Sequence, residues 1–187
     1  MNKKYRVVSV YKTTGPVEEH CVVGIIESRL EVEQAVKLLQ ESRIDLRTLS
    51  IVGKESPHED GSIGHFGTGD RLGFWGTRGV FWGDLRKLLK GSAFFLFPVI
   101  GPVLVGGSFV SAIVDTPTGA DPIEGRTALG IGFSHIGVPA SSIVEYESAI
   151  KGNRFVMIVQ GTSEEVEKAK TVLESFGKQE KEFQDYS

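Results

Sequence analysis

Between Lys90 and Asp115 the chain runs 24 residues, GSAFFLFPVIGPVLVGGSFVSAIV, without a single charge. No other stretch narrows the possible folds so much. As one straight helix it would measure about 36 Å, enough to cross the hydrocarbon of a bilayer. Pro98, Gly101 and Pro102 interrupt it and predict two short arms that reverse at Ile100-Gly101-Pro102. The expectation is a helical hairpin rather than a single span.

The flanking sequence decides where such a hairpin can sit. Residues 21–26 form an apolar run that reads as a buried strand, and Ser28-Arg-Leu-Glu31 follows as a capping box. Val32, Ala35, Val36 and Leu39 recur at helical spacing, and residues 46–52 give a second strand, completing a βαβ unit. The same grammar returns near the other end. Residues 155–159 read as a strand, Thr162-Ser-Glu-Glu165 as a capping box, and Val166, Ala169, Leu173 and Phe176 as the apolar stripe of a last helix. Glu31, Val32, Glu33, Ala35 and Leu39 match Glu165, Val166, Glu167, Ala169 and Leu173 at a constant offset of 134. Before the last strand, Pro139 suits a helix start, Ile143, Tyr146 and Ile150 face one way, and Gly152 can end the turn. Residues 5–11 offer a further edge strand.

The expected fold is therefore α+β, a ferredoxin-like sandwich split by a glycine-rich helical hairpin insertion. Residues 1–55 and 126–177 make one domain, 56–125 the insertion, and 178–187 a charged, flexible tail. Two matching halves that pack together put both ends of the insertion on one side of any membrane. A second crossing would need another long apolar run. Residues 71–90 carry five basic side chains and one acidic one, each costing about 2.5–3.5 kcal/mol at mid-bilayer. A single-pass protein is disfavoured.

Within the insertion, Phe74-Trp75-Gly76 repeats as Phe81-Trp82-Gly83, two helical turns on. On a helical wheel Phe74, Trp75, Phe81, Trp82, Leu85, Leu88 and Leu89 share one arc, and Gly76, Gly79 and Gly83 line the opposite side. Each glycine costs about 1 kcal/mol against alanine in a helix, so a closely approaching partner is expected there. Two readings stay open: a basic amphipathic segment on an anionic lipid surface, or a helix covering the sandwich or a second subunit. The predicted contact residues are Phe74, Trp75, Gly76, Gly79, Phe81, Trp82, Gly83, Phe94, Phe95, Pro98, Gly101 and Pro102.

Catalytic patterns are weak. His58 and His65 share a loop with Glu59 and Asp60, but their spacing matches no standard metal-ligand pattern. A small-ligand or metal site in the 58–70 loop is kept as an alternative. Gly67-Thr-Gly69-Asp70 lacks the Gly-Lys-Ser/Thr of a phosphate loop. His135 reads as a packed histidine and Cys21 as a buried small hydrophobe. Glu164, Glu165 and Glu167 read as solvated or helix-start charges. No cofactor is expected. A net charge of −3 gives no attraction for nucleic acid. One cysteine and no signal-peptide core predict a cytoplasmic protein, with a place peripheral to or embedded in the inner membrane left open.

The segments GDRLGFWGTRGVFWGDLRKLLKGSAFFLFPVIGPVLVGG and ALGIGFSHIGVPASSIVEYESAIKGNRFVMIVQGTSEEV together resemble a bacterial general-stress or heat-induced protein family of unknown function. The resemblance covers about residues 20–175. It rests on the Phe-Trp-Gly repeat, the turn Phe97-Pro98-Val99-Ile100-Gly101-Pro102, and Ile136-Gly137-Val138-Pro139 with Tyr146-Glu147. The polar loop 115–122 and the basic Arg86, Lys87 and Lys90 depart from the usual pattern. The family implies no catalytic residues. The expectation is a non-enzymatic, stress-linked protein that self-associates or attaches to a membrane surface through its insertion, with a membrane transport component as the remaining alternative.

Overall fold

A computed structural model of the chain describes residues 8–13, 19–54, 89, 91–97, 99–115 and 127–184, with the side chains of Phe94 and of residues beyond 175 excepted. The fold is mixed α+β around one antiparallel sheet. Its strands are β1 (Val8–Lys12), β2 (His20–Ile26), β3 (Leu49–Lys54), β4 (Ser92–Phe97), β5 (Gly101–Gly106) and β6 (Phe155–Gly161). They lie in the order β1-β2-β6-β3-β5-β4, each antiparallel to its neighbours. The helices are α1 (Arg29–Glu41), α2 (Phe109–Val114), α3 (Ala128–His135), α4 (Ala140–Lys151) and α5 (Ser163–Gln184).

The central strands are unbroken apolar runs because both of their faces are covered. On β2, Cys21, Val23 and Ile25 join a core made with α2, α3 and α4. Val22 and Ile26 join a second core made with α1 and α5. On β6, Val156 and Ile158 face the first core, and Phe155, Met157 and Val159 the second. Each large apolar side chain taken out of water contributes about 1.5–3 kcal/mol, so strands apolar on both sides are satisfied only by helices on both sides. The result has three layers. A ferredoxin-like sandwich, with its helices on one face, is not the arrangement formed.

The connectivity reinforces that difference. β2 and β3 run parallel on either side of β6, joined by α1. β5 and β6 run parallel on either side of β3, joined through α2, α3 and α4 on the opposite face. Two such crossovers on opposite faces must have opposite hands, so one departs from the usual right-handed rule.

The internal match has a structural meaning. Val32, Ala35 and Leu39 of α1 and Val166, Ala169 and Leu173 of α5 are buried in the same core. β2 and β6 pair side by side, with Val23 opposite Ile158 and Gly24 opposite Met157. The two strand–helix units thus lie side by side with both helices on one face of the sheet, although the offset of 134 does not carry over to the strands, since Val23 and Met157 face opposite cores. Both helices are capped as their sequences predict. The Glu31 amide donates to Ser28 Oγ at 3.3 Å, although the Glu31 carboxylate accepts from the Glu27 amide rather than from Ser28. At α5 the box is reciprocal: the Thr162 amide donates to Glu165 at 2.9 Å and the Glu165 amide to Thr162 Oγ1 at 3.3 Å. That pairing holds the Glu165 carboxyl below its ordinary pKa.

The uncharged stretch corrects the helical expectation. It does reverse at Val99–Gly101, but its arms are the strands β4 and β5, followed by the short α2. β5 pairs with β3, placing Val105 opposite Val52 and Leu104 opposite Gly53. These residues belong to the common sheet rather than to a separate helical insert. Short apolar runs carry no periodicity that separates a helix from a buried strand, and pairing with β3 decides it. The frayed tail expected after residue 177 is also replaced in part, because α5 continues to Gln184.

Candidate functional site

Of the contact residues expected from sequence, Phe74, Trp75, Gly76, Gly79, Phe81, Trp82, Gly83 and Pro98 lie outside the described residues, as do His58 and His65. Phe94, Phe95, Gly101 and Pro102 fall together on the β4–β5 hairpin. Among the described residues β4 hydrogen-bonds to β5 alone, so one row of its amides and carbonyls faces away from the sheet. Its sequence, SAFFLF, contains no charge and no proline, the two usual devices that stop an edge from pairing further.

Among the described residues the hairpin is anchored on one side and bare on the other. Phe97 is buried and stacks on Phe95, with centroids 5.7 Å apart and planes inclined by 21°. Val103 and Val105 point into the same core. Leu96 is 50 % exposed and Val99, at the tip, 83 %. Val99 also holds a φ of +71°, where a β-branched residue is strained. An apolar, strained and exposed tip beside an uncharged edge is a surface shaped to meet something.

Several polar groups elsewhere have structural partners, whereas the buried Nδ1 of His20 has none among the described residues. Ser50, fully buried, accepts the Phe109 amide at 3.0 Å and so fixes the start of α2. Ser108 donates to Gln160 Oε1 at 3.0 Å. Thr127 donates to the Glu147 carboxylate and accepts the Gly130 amide, joining α3 to α4. Cys21 is buried as expected; its thiol donates to the Ile136 carbonyl at 3.2 Å, and burial pushes its pKa up to about 12. His135 is a correction, for it is exposed at the end of α3 with Nδ1 3.2 Å from the Ala112 carbonyl, and not packed in the core. It is the last residue of α3, whose buried face is taken by Leu129, Gly132 and Phe133.

Sequence reasoning missed one pair altogether. The Tyr11 and Tyr146 hydroxyls meet at 2.8 Å, tying β1 to α4. Burial, then the Tyr11 hydrogen bond, pushes the Tyr146 hydroxyl above its ordinary pKa. The available signal was Tyr146 on the buried stripe of its helix, since a buried phenol requires a partner.

A cleft of about 310 Å3 opens where β2 leads into α1, lined by Glu27, Ser28, Arg29, Lys54, Asn153 and Phe155. Among the described residues no three His, Cys, Asp or Glu side chains gather as a metal site, and no helix is long and apolar enough to cross a membrane. No protein-family model, curated protein or solved structure matches this chain.

Proposed function

We propose that this chain is a non-enzymatic, stress-linked bacterial protein that works in the cytoplasm by self-association, with β4 of one copy pairing antiparallel to β4 of another. The observation that supports this reading is the outer edge of β4, six uncharged residues at the end of the sheet. A second copy meets both of its requirements: hydrogen-bond partners for the outward amides and carbonyls, and cover for Leu96 and Val99. Antiparallel self-pairing brings no like charges together, because residues 91–114 carry none. The stress-linked part of the reading comes from the sequence resemblance.

Attachment to a membrane surface is the rival. Hydrocarbon offers no hydrogen-bond partner, and each unmet backbone group there costs several kcal/mol. A bare strand edge therefore favours a protein partner over lipid. Light scattering on the full chain without detergent tests this. The expected molar mass rises with concentration to at least twice that of one chain, and Leu96→Lys, which adds an edge charge, keeps it at one chain with an unchanged circular dichroism spectrum. A monodisperse monomer at every concentration overturns the proposal. A monomer that sediments with anionic phospholipid vesicles overturns it in favour of the lipid-surface reading.

A further inference from the structure

We infer that the outer half of the second face of the sheet, over β5 and β4, is a docking surface for this chain's own residues 73–88, with their aromatic arc turned to the strands. The described helices cover the other half of that face. The main contacts of α5 are with β1, β2, β6 and α1, and those of α1 are with α5, β6 and the turn before β3. β5 and β4 lie further along the sheet. Apolar groups continue there: Phe155 fills the space over Gly53, Leu104 opposite Gly53 is buried, and Leu96 on the same face is half exposed.

The route of the chain identifies the occupant. β2, β3 and β4 run parallel to one another, with β6 and β5 between them. A parallel connection must cross back over one face of the sheet, usually as a helix. From β2 to β3 that crossing is α1, on the second face. From β3 to β4 it falls to the 34 residues 55–88, which leave at Lys54 opposite Val103 and lead back to Ser92 opposite Gly106. Leu89 marks the face they take. Its side chain is buried in the second core and occupies the place over Gly106 where a Cβ would stand. The Gly91 amide donates to its carbonyl at 3.0 Å, and the Gly107 amide to the Gly91 carbonyl at 2.8 Å, so the residue is tied to both strands of the hairpin. A crossing on this face has the same hand as the one through α1. Leu89 also closes the apolar arc of Phe74, Trp75, Phe81, Trp82 and Leu85. With its last member fixed on the sheet, the arc of a helix faces the sheet and not lipid. A helix over 73–88 measures about 24 Å, enough to span a six-residue strand of about 20 Å. β4 keeps its outer edge, because the segment lies over the face and not beside the strand.

Trp75 and Trp82 are the only tryptophans of the chain, so intrinsic fluorescence of the full chain reads the docking directly. At concentrations where light scattering gives a monomer, without lipid or detergent, the expected emission lies to the blue of that in concentrated urea and resists acrylamide. Leu104→Lys is expected to shift it to the red and to raise quenching toward the urea value. Leu30→Lys, at a position 63 % exposed on α1, is expected to leave both unchanged. Should the Leu104 variant unfold by circular dichroism, nuclear Overhauser contacts in the wild-type chain decide: indole protons within reach of the Leu104 methyls support the inference, and their absence overturns it. Urea-like emission from a folded monomer overturns it as well. A blue shift that comes only with anionic phospholipid vesicles overturns it in favour of a lipid surface, and one that comes only on concentrating the chain in favour of a second copy.

Discussion

Among the described residues β1 and β4 are both outer strands of one sheet, yet β1 is held from three directions and β4 from one. Val8 and Val10 of β1 pack against the core beneath α1 and α5. Tyr11 reaches through to Tyr146 on the other face. Behind the strand, Gly137 adopts a φ of +88° with the Lys12 carbonyl standing where a Cβ would be, and Lys12 itself carries a charge at the strand end. β4 has β5 and the buried Phe97, and beyond them an uncharged edge with Leu96 exposed. Sheets blunt their edges with charge and cover because a bare ladder recruits another strand. Where, among the described residues, one edge has both and the other neither, the second is the natural place for a partner.

The comparison can be broken first at the closed edge. Tyr146→Ala removes a fully buried ring that packs on Phe133 at 5.5 Å as well as its bond to Tyr11. A loss of about 3–5 kcal/mol is expected in urea unfolding, large enough to release β1 altogether. Cys21 lies directly opposite Tyr11 on β2, beneath the same edge. Its folded pKa, about 12, is above the ordinary 9.0, so its contribution is complete below pH 9 and is lost as pH climbs from 9 toward 12. Wild type should lose about 1 kcal/mol more than Cys21→Ala between pH 8 and pH 10. The smallest effect belongs to the open edge. Val99→Gly relieves the left-handed strain at the hairpin tip and, after the added chain entropy of glycine, should raise stability by about 0.5 kcal/mol. A lower melting temperature for that variant would mean that Val99 is held by contacts rather than strained.

Much of this architecture could be read from local pattern. The helical spacing of Val32, Ala35 and Leu39, and of Val166, Ala169 and Leu173, identified the stripes that are buried together. The capping boxes at Ser28 and Thr162 located both helix starts, because those hydrogen bonds span only a few residues. The three-layer arrangement was legible in principle. Residues 21–26 and 155–159 are apolar without alternation, which is how a strand covered on both faces reads. The hairpin at 92–106 was not legible as strands, since its arms are too short for periodicity and their state depends on pairing with β3. Tyr11 and Tyr146 are 135 residues apart, beyond any local pattern. The cleft has the same origin: Arg29, Lys54 and Asn153 are scattered in sequence and brought together by the sheet order. The Phe-Trp-Gly repeat falls outside the described residues, so the aromatic–glycine helix stays a sequence expectation.

The central claim, that β4 is an edge awaiting its own copy, is tested most directly by amide hydrogen exchange as a function of protein concentration. Pairing with a second β4 predicts that protection within Ser92–Phe97 increases as the chain is concentrated, while that of Val8–Lys12 stays constant. Protection of β4 that is unchanged across concentrations at which light scattering reports association would place the interface elsewhere and contradict the account.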